Sequence, residues 1–243
     1  FLKEKNLLFY FFVLIFILSE TLIFLSGERA AFFYINLSAI FIIIFSKNLL
    51  KLRLITLISS ILILIIISLI NPNAKERIID KTFNDMNILN SQEKKDADKV
   101  YMFSKIHNEL YVSAYKIFLD NKILGVGVKN FRNYCSDPKY KTQYSCDSHP
   151  HNTFLQILSE IGLIGFMFFL YVFYIFVKNI FLHLIYRWNK KQIFNDFEIC
   201  ILSGIFIYLW PIVPTGNFFN NWLSIIMFLN LPLLIWSKKL YKA

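Results

Sequence analysis

ITLISSILILIIISLI, residues 55–70, carries no charged side chain and only Thr56, Ser59, Ser60 and Ser68 as polar residues. A run this apolar is close to the roughly 20 residues that a helix needs to cross a bilayer core. Five further stretches read the same way: Leu7 to Leu25, Ala30 to Phe45, Ile161 to Val177, Ile199 to Val213 and Trp222 to Trp236. The chain of 243 residues is 56% hydrophobic, holds 27 Phe and has a mean hydropathy of +0.51, a composition foreign to soluble domains. Backbone amides in lipid must be bonded internally, so the runs predict helices, and no alternation of period two suggests a membrane barrel. The predicted fold class is all-α, a polytopic membrane helix bundle of about six spans.

Charge sets the expected topology. Lys3 and Lys5 precede the first run; Lys47, Lys51 and Arg53 join the second and third; Lys178, Arg187, Lys190 and Lys191 join the fourth and fifth; Lys238, Lys239 and Lys242 follow the sixth. Segment 26–29 holds one basic residue, and 214–221 holds no charge. The positive-inside rule puts the basic connectors in the cytoplasm, with both termini inside. Residues 71–150 then form one large periplasmic loop between the three spans of 1–70 and the three of 151–243. The net charge of +10 is accounted for by these span ends, so no nucleic-acid partner is expected. Leu7 to Leu25 lacks a small-residue cleavage site and runs through Glu28-Arg29 into the next apolar stretch, unlike a signal peptide. Phe1 stands where a Met would start a chain, which suggests a piece of a longer protein.

Within the loop, residues 74–100 are charged and without clear period, as a mobile stretch or short surface helices would be. Ile106, Leu110, Tyr111, Ala114, Ile117 and Phe118 recur at steps of three and four, predicting an amphipathic helix over 104–120 that lies on the bilayer or packs on the spans. Cys135 and Cys146 can pair in an oxidising compartment, a bond worth ~2–3 kcal/mol. Cys200, inside the fifth run, reads as a small buried residue. Gly125-Val-Gly127 is either a phosphate-binding loop or a turn that needs positive φ.

His149-Pro150-His151-Asn152 stands where the loop re-enters the membrane. Pro150 biases His149 away from helix, and Asn152 is a good N-cap, so His151 is expected at a helix N-terminus. The positive helix end disfavours imidazolium, and a neutral imidazole can accept a proton as a general base. The same end favours an anion such as a diphosphate. The bland alternative is a histidine that only hydrogen-bonds at the interface. His149 and His151 lack further ligands nearby in sequence, so no metal is expected. Glu160, deeper on the same helix, should face a cavity or a partner. Gly162 and Gly165 suggest close helix packing. Arg29 can fork onto phosphate oxygens, or simply pair with Glu28 or Glu20 at the interface.

These residues carry a resemblance. His151-Asn152, the stretch Thr153 to Ile161, then Gly162-Leu-Ile-Gly165 resembles the motif of the O-antigen ligase/polymerase family: His, then Asn, Ser or Gln, nine residues, then Gly-x-x-Gly. Ser26-Gly-Glu-Arg29-Ala30-Ala31 looks like the family's Ser-x-x-Arg-Ala entry to a helix, and Asn121 to Phe131 like its Asn-Pro-Leu-x-Gly-x-Gly-x-x-Asn-Phe stretch, with Lys122 in place of Pro. The family's loop helix often bears an Arg where this chain has His107, ahead of Tyr111 and Ala114. Members usually have more spans than this chain, which implies preceding helices.

The resemblance implies an inverting, metal-independent glycosyltransferase that needs no cofactor. Its donor would be a glycan on undecaprenyl diphosphate in the membrane lipid, and its acceptor lipid A-core or another glycan. The setting would be the bacterial inner membrane, with the site facing the periplasm. His151 would be the catalytic base; Arg29, with His107 or Arg132, would hold the diphosphate; Asn152 and Glu160 complete the expected substrate-binding set. O-antigen polymerase and protein O-oligosaccharyltransferase are alternatives within the family. A flippase of lipid-linked sugars or a non-catalytic scaffold are alternatives outside it, and no internal repeat supports the flippase.

Overall fold

The computed structural model describes residues 2–88, 100–144, 146–189 and 191–240, and the side chains of these except for residues 2–6, 239 and 240. Every regular element among them is helical, with no strand. The chain divides into two compact units, Phe1–Asn84 and Asp85–Ala243, so the boundary falls inside the expected loop.

In the first unit α1 (Leu2–Ser26), α2 (Arg29–Phe45) and α3 (Leu50–Ile70) pack on one another. The segment Leu7–Ser26 and α3 are long and apolar enough to cross a membrane, whereas α2, at 17 residues, is shorter. Phe24, Leu64, Ala74 and Ile78 form the buried cluster, with Phe32 set edge-on to Phe24 at 5.6 Å. The opposite faces are bare: Leu69 and Ile70 are 79% and 77% exposed. A soluble protein rarely leaves such continuous apolar surface open, whereas a helix in lipid requires it. Glu20, the carboxylate within the apolar run of α1, is fully buried; one of its oxygens accepts a hydrogen bond from Ser60 Oγ of α3, and the other makes none among the described residues.

Asn71 ends α3 and caps the next helix, its side chain accepting from Ala74 N at 3.3 Å, with Pro72 at the first helical position. Short helices α4 (Pro72–Lys75) and α5 (Lys81–Asp85) flank a π-helical turn, Glu76–Asp80. They answer the expectation of surface helices here; residues 89–99 of that stretch lie outside the described residues.

The second unit contains α6 (Lys105–Asp120), α7 (Phe131–Tyr134), α8 (Thr153–Trp188), α9 (Asp196–Tyr208), α10 (Asn221–Phe228) and α11 (Asn230–Leu240). The amphipathic prediction for α6 holds, and its inward face packs on α8. Ser104 caps α6 by accepting from His107 N at 3.3 Å, and Leu110, Ala114 and Ile117 turn inward with Phe131, Cys135 and Tyr140, against Leu155 of α8. Cys135 and Cys146 are joined as a disulfide, closing the loop between α7 and α8.

The later apolar runs depart from the lengths expected. The fifth run extends in sequence to Val213, but α9 ends at Tyr208, because Pro211 has no N–H to continue a helix and restrains Trp210. The sixth is split at Leu229; Pro232 leaves the carbonyl of Phe228 without its helical donor. Only α8 among the described helices of this unit reaches membrane length. Cys200 is a correction: it is exposed, because α9 turns Ile199, Leu202, Ser203 and Ile205 inward and leaves the Cys200 face uncovered.

Candidate active site at the start of the long helix

The site rests on a break in α8. Gly162 has φ 69° and ψ −165°, so the helix stops and restarts within one residue. A helix interrupted this way leaves carbonyls and amides unpaired, which is costly when buried. The segment 121–131 supplies their partners. Val126 N donates to Ser159 O at 3.0 Å and Gly127 N to Glu160 O at 2.8 Å. On the other side of the break, Leu163 N donates to Lys122 O at 2.8 Å and Ile164 N to Ile123 O at 3.3 Å. The approach is too close for side chains. A Cβ on Gly162 would lie 2.4 Å from Ile123 O, and one on Gly125 2.4 Å from the Glu160 carbonyl carbon. Both residues also have positive φ, which glycine adopts without the steric cost other residues meet.

Glu160 completes this clamp. Its carboxylate, fully buried, accepts from Lys129 N and Phe131 N at 3.0 Å each and from Gln156 Nε2 at 3.2 Å. Gln156 in turn reaches the 211–221 connector: its Nε2 donates to Asn217 Oδ1 at 2.8 Å, and its Oε1 accepts from Phe218 N at 3.0 Å. The first two turns of α8 are thereby fixed from both sides.

On this platform sits the 147–153 turn. Asn152 caps α8, its side chain accepting from Leu155 N at 3.1 Å, while its Nδ2 donates to Pro211 O at 2.8 Å. His151 takes the left-handed conformation, φ 53°, unusual for a residue other than glycine, and its carbonyl accepts from Thr215 N at 2.9 Å. His149 Nε2 meets Thr215 O at 3.2 Å, and Thr153 Oγ1 meets Thr215 Oγ1 at 3.1 Å. The positive-φ backbone at His151 is thus held in place by the hydrogen bonds of its neighbours.

The turn gathers three imidazoles. The ring of His151 lies 4.1 Å from that of His149 and 5.5 Å, edge-on, from that of His107 on α6. His107 Nδ1 is 2.7 Å from Ser104 Oγ. His151 Nε2 is 3.0 Å from Asp147 Oδ2, and the His151 side chain remains 29% exposed, so a solute can reach it. Burial lowers the basicity of His149, and the neighbouring His151 lowers it further, against the opposing pull of the Thr215 carbonyl and Asp147. Burial also acts on Asp147, upward, but the hydrogen bonds from His151 and Ser148 outweigh it and leave this carboxyl below its ordinary value. Burial pushes the Tyr111 phenol up to about 12, so it stays protonated beside Asn152 and His107. Among the described residues no three His, Cys, Asp or Glu side chains converge in a way that could hold a metal ion.

The O-antigen ligase family model matches residues 12–170, from the first helix through the glycine break in α8. This chain belongs to the O-antigen ligase family. No curated protein and no solved structure matches it. Membership makes it a membrane enzyme of glycosyltransferase type, in a family that carries out glycan transfer of the O-antigen ligase or polymerase kind on lipid-linked glycans.

Within this ligase-family chain, the residues singled out in the sequence are distributed unevenly. His107 and His151 are brought together. Asn152 and Glu160 hold backbone with the hydrogen bonds described above and shape the platform beneath the histidines. Arg132 lies exposed on α7, its Nε donating to Lys129 O at 3.2 Å, outside the ring cluster. Arg29 opens α2 in the first unit, half-buried, directly after the Gly27 turn; the partner that the sequence offered from α1, Glu20, is engaged with Ser60 instead. Of the two readings of Gly125-Val-Gly127, the structure gives the turn, closed by Gly125 N donating to Asn121 O, with the Val126 and Gly127 amides turned to the α8 break. Gly162 likewise serves the approach of that turn and not of a second helix. Sequence reasoning passes over Asp147 as a partner of His151, and Gln156 and Thr215 altogether. Asp147 lies four residues before His151, but outside a helix that spacing carries no signal.

Proposed function

We propose that the chain transfers a glycan from undecaprenyl diphosphate to an acceptor hydroxyl at the periplasmic face of the bacterial inner membrane, as an O-antigen ligase with lipid A-core as acceptor. The observation that carries this reading is His151. Its ring is partly exposed, sits on a left-handed turn at a helix start inside the family's motif, and keeps Nδ1 without a hydrogen bond among the described residues. In the reaction the acceptor hydroxyl gives its proton to His151 as its oxygen bonds the anomeric carbon. The bond from that carbon to the diphosphate oxygen breaks with its electron pair, and the configuration inverts. His151 then releases the proton to solvent or to the departing diphosphate. Arg29 binds the diphosphate, with His107 or Arg132 contributing the second positive or donor group; charge stabilisation of the leaving group is the main catalytic contribution. The donor is already activated, so neither a metal nor a nucleotide is required. The remaining topology follows the charge pattern: six crossings, both termini in the cytoplasm and 71–150 outside.

The glycolipid profile of a deletion strain tests this. A ligase predicts lipid A-core without polymer while polymer accumulates on the polyprenyl carrier. A single repeat left on lipid A-core points to a polymerase. Intact lipopolysaccharide with unglycosylated proteins points to a protein O-oligosaccharyltransferase. Repeat units trapped on the cytoplasmic side point to a flippase and overturn the transferase reading.

A further inference from the structure

We infer that Asp147 is a positioning residue for His151, and that the Cys135–Cys146 bond holds Asp147 in place. This rests on the reading of His151 as the proton acceptor and specifies which atom accepts. Asp147 is ionised at neutral pH and accepts only; its Oδ2 lies 3.0 Å from His151 Nε2. The hydrogen of that contact therefore belongs to Nε2, and the lone pair of the neutral ring belongs to Nδ1. A carboxylate on one ring nitrogen fixes both tautomer and ring angle, as second partners of histidines commonly do. His149 and His107 flank the ring but offer no comparable acceptor: His149 is turned to Ser148 Oγ and Thr215 O, His107 to Ser104 Oγ.

Asp147 is itself half-exposed, with a side chain 50% accessible, and a residue so placed on a connector is held poorly by packing. Its anchor is covalent. Cys146 precedes it directly, and the disulfide ties Cys146 to Cys135, which is fully buried with Phe131 under α6. Phe131 is in turn fixed by the Glu160 carboxylate through its backbone N–H. A continuous path thus runs from the α8 clamp through Phe131, Cys135 and Cys146 to the carboxylate that meets the ring. In this arrangement the acceptor proton moves to Nδ1 while Nε2–H stays on Asp147, so the carboxylate bears the imidazolium charge without taking the proton.

The test uses the full chain in lipid nanodiscs, labelled with nitrogen-15 at histidine, the His151 signals being assigned by their loss in His151→Gln. Wild type should show one His151 tautomer, protonated at Nε2. Asp147→Ala should give mixed tautomers and lower kcat about ten- to a hundredfold at unchanged KM for a polyprenyl-diphosphate-linked glycan. Cys135→Ala/Cys146→Ala should move both readouts the same way, and adding Asp147→Ala to it should cost little more. An Asp147→Ala protein that keeps the single Nε2–H tautomer and wild-type kcat overturns the inference while leaving His151 as base intact. A changed tautomer at unchanged kcat supports the positioning and overturns the base reading instead.

Discussion

Arg29 and Lys differ at this position by geometry and not by charge. A guanidinium grips a diphosphate with two parallel N–H donors, whereas an ammonium offers a point charge. Arg29→Lys should therefore raise KM for the lipid-linked donor about tenfold, ~1.4 kcal/mol, with expression unchanged; equal KM in steady-state transfer assays rules out diphosphate binding there. His149 makes a second prediction. Its proton affinity in the fold lies below the ordinary value of 6.5, so the unfolded chain binds the proton more tightly. Stability is then full above that value and declines as pH falls through it and toward the depressed folded value. Thermal melts across this range should show the decline, and His149→Asn should flatten it. The motif residues were legible because their chemistry is local: Asn152 caps in the structure as its type predicts, and His149 stays outside the helix as the following Pro150 requires. Asp147 was not, because a contact made across an irregular turn leaves no periodic trace in sequence.

At the level of elements, the long helix is two helices that meet at Gly162, and the separate segment 121–131 answers the hydrogen bonds broken there. Gly162→Ala tests this. The alanine would meet Ile123 O at 2.4 Å and occupy a conformation, φ 69° with ψ −165°, that is essentially reserved for glycine and costs about 1–3 kcal/mol before any clash is counted. Purified in detergent, the variant should melt at least roughly 4 °C lower. An unchanged melting temperature means that the break is not needed. Sequence spacing marked Gly162 but suggested helix packing, since a small residue in an apolar helix serves either use and only the position of 121–131 decides between them. The amphipathic α6 was legible in outline, because its period specifies the face carrying Leu110, Ala114 and Ile117, but Ile106 at its first turn is exposed and Ser113 is buried, since the helix packs over its middle and not its start. The ends of the fifth and sixth apolar runs were not, because hydropathy continues past the point where Pro211 and Pro232 interrupt the hydrogen bonding.

For the molecule as a whole, apolar surface and family membership make a multi-pass membrane protein, with three helices of membrane length among the described residues. The proposed orientation has a direct check: a phosphatase reporter, active only outside the cytoplasm, fused within 136–144 should be active, and silence there reverses the topology. The disulfide fits an oxidising compartment on that side. The central claim, glycan transfer through His151, is tested most directly by assaying membranes that contain His151→Ala, supplied with a polyprenyl-diphosphate-linked glycan and lipid A-core. Transfer should be abolished while the variant is present at normal level and the lipid-linked donor remains unconsumed; transfer at the wild-type rate would contradict the account.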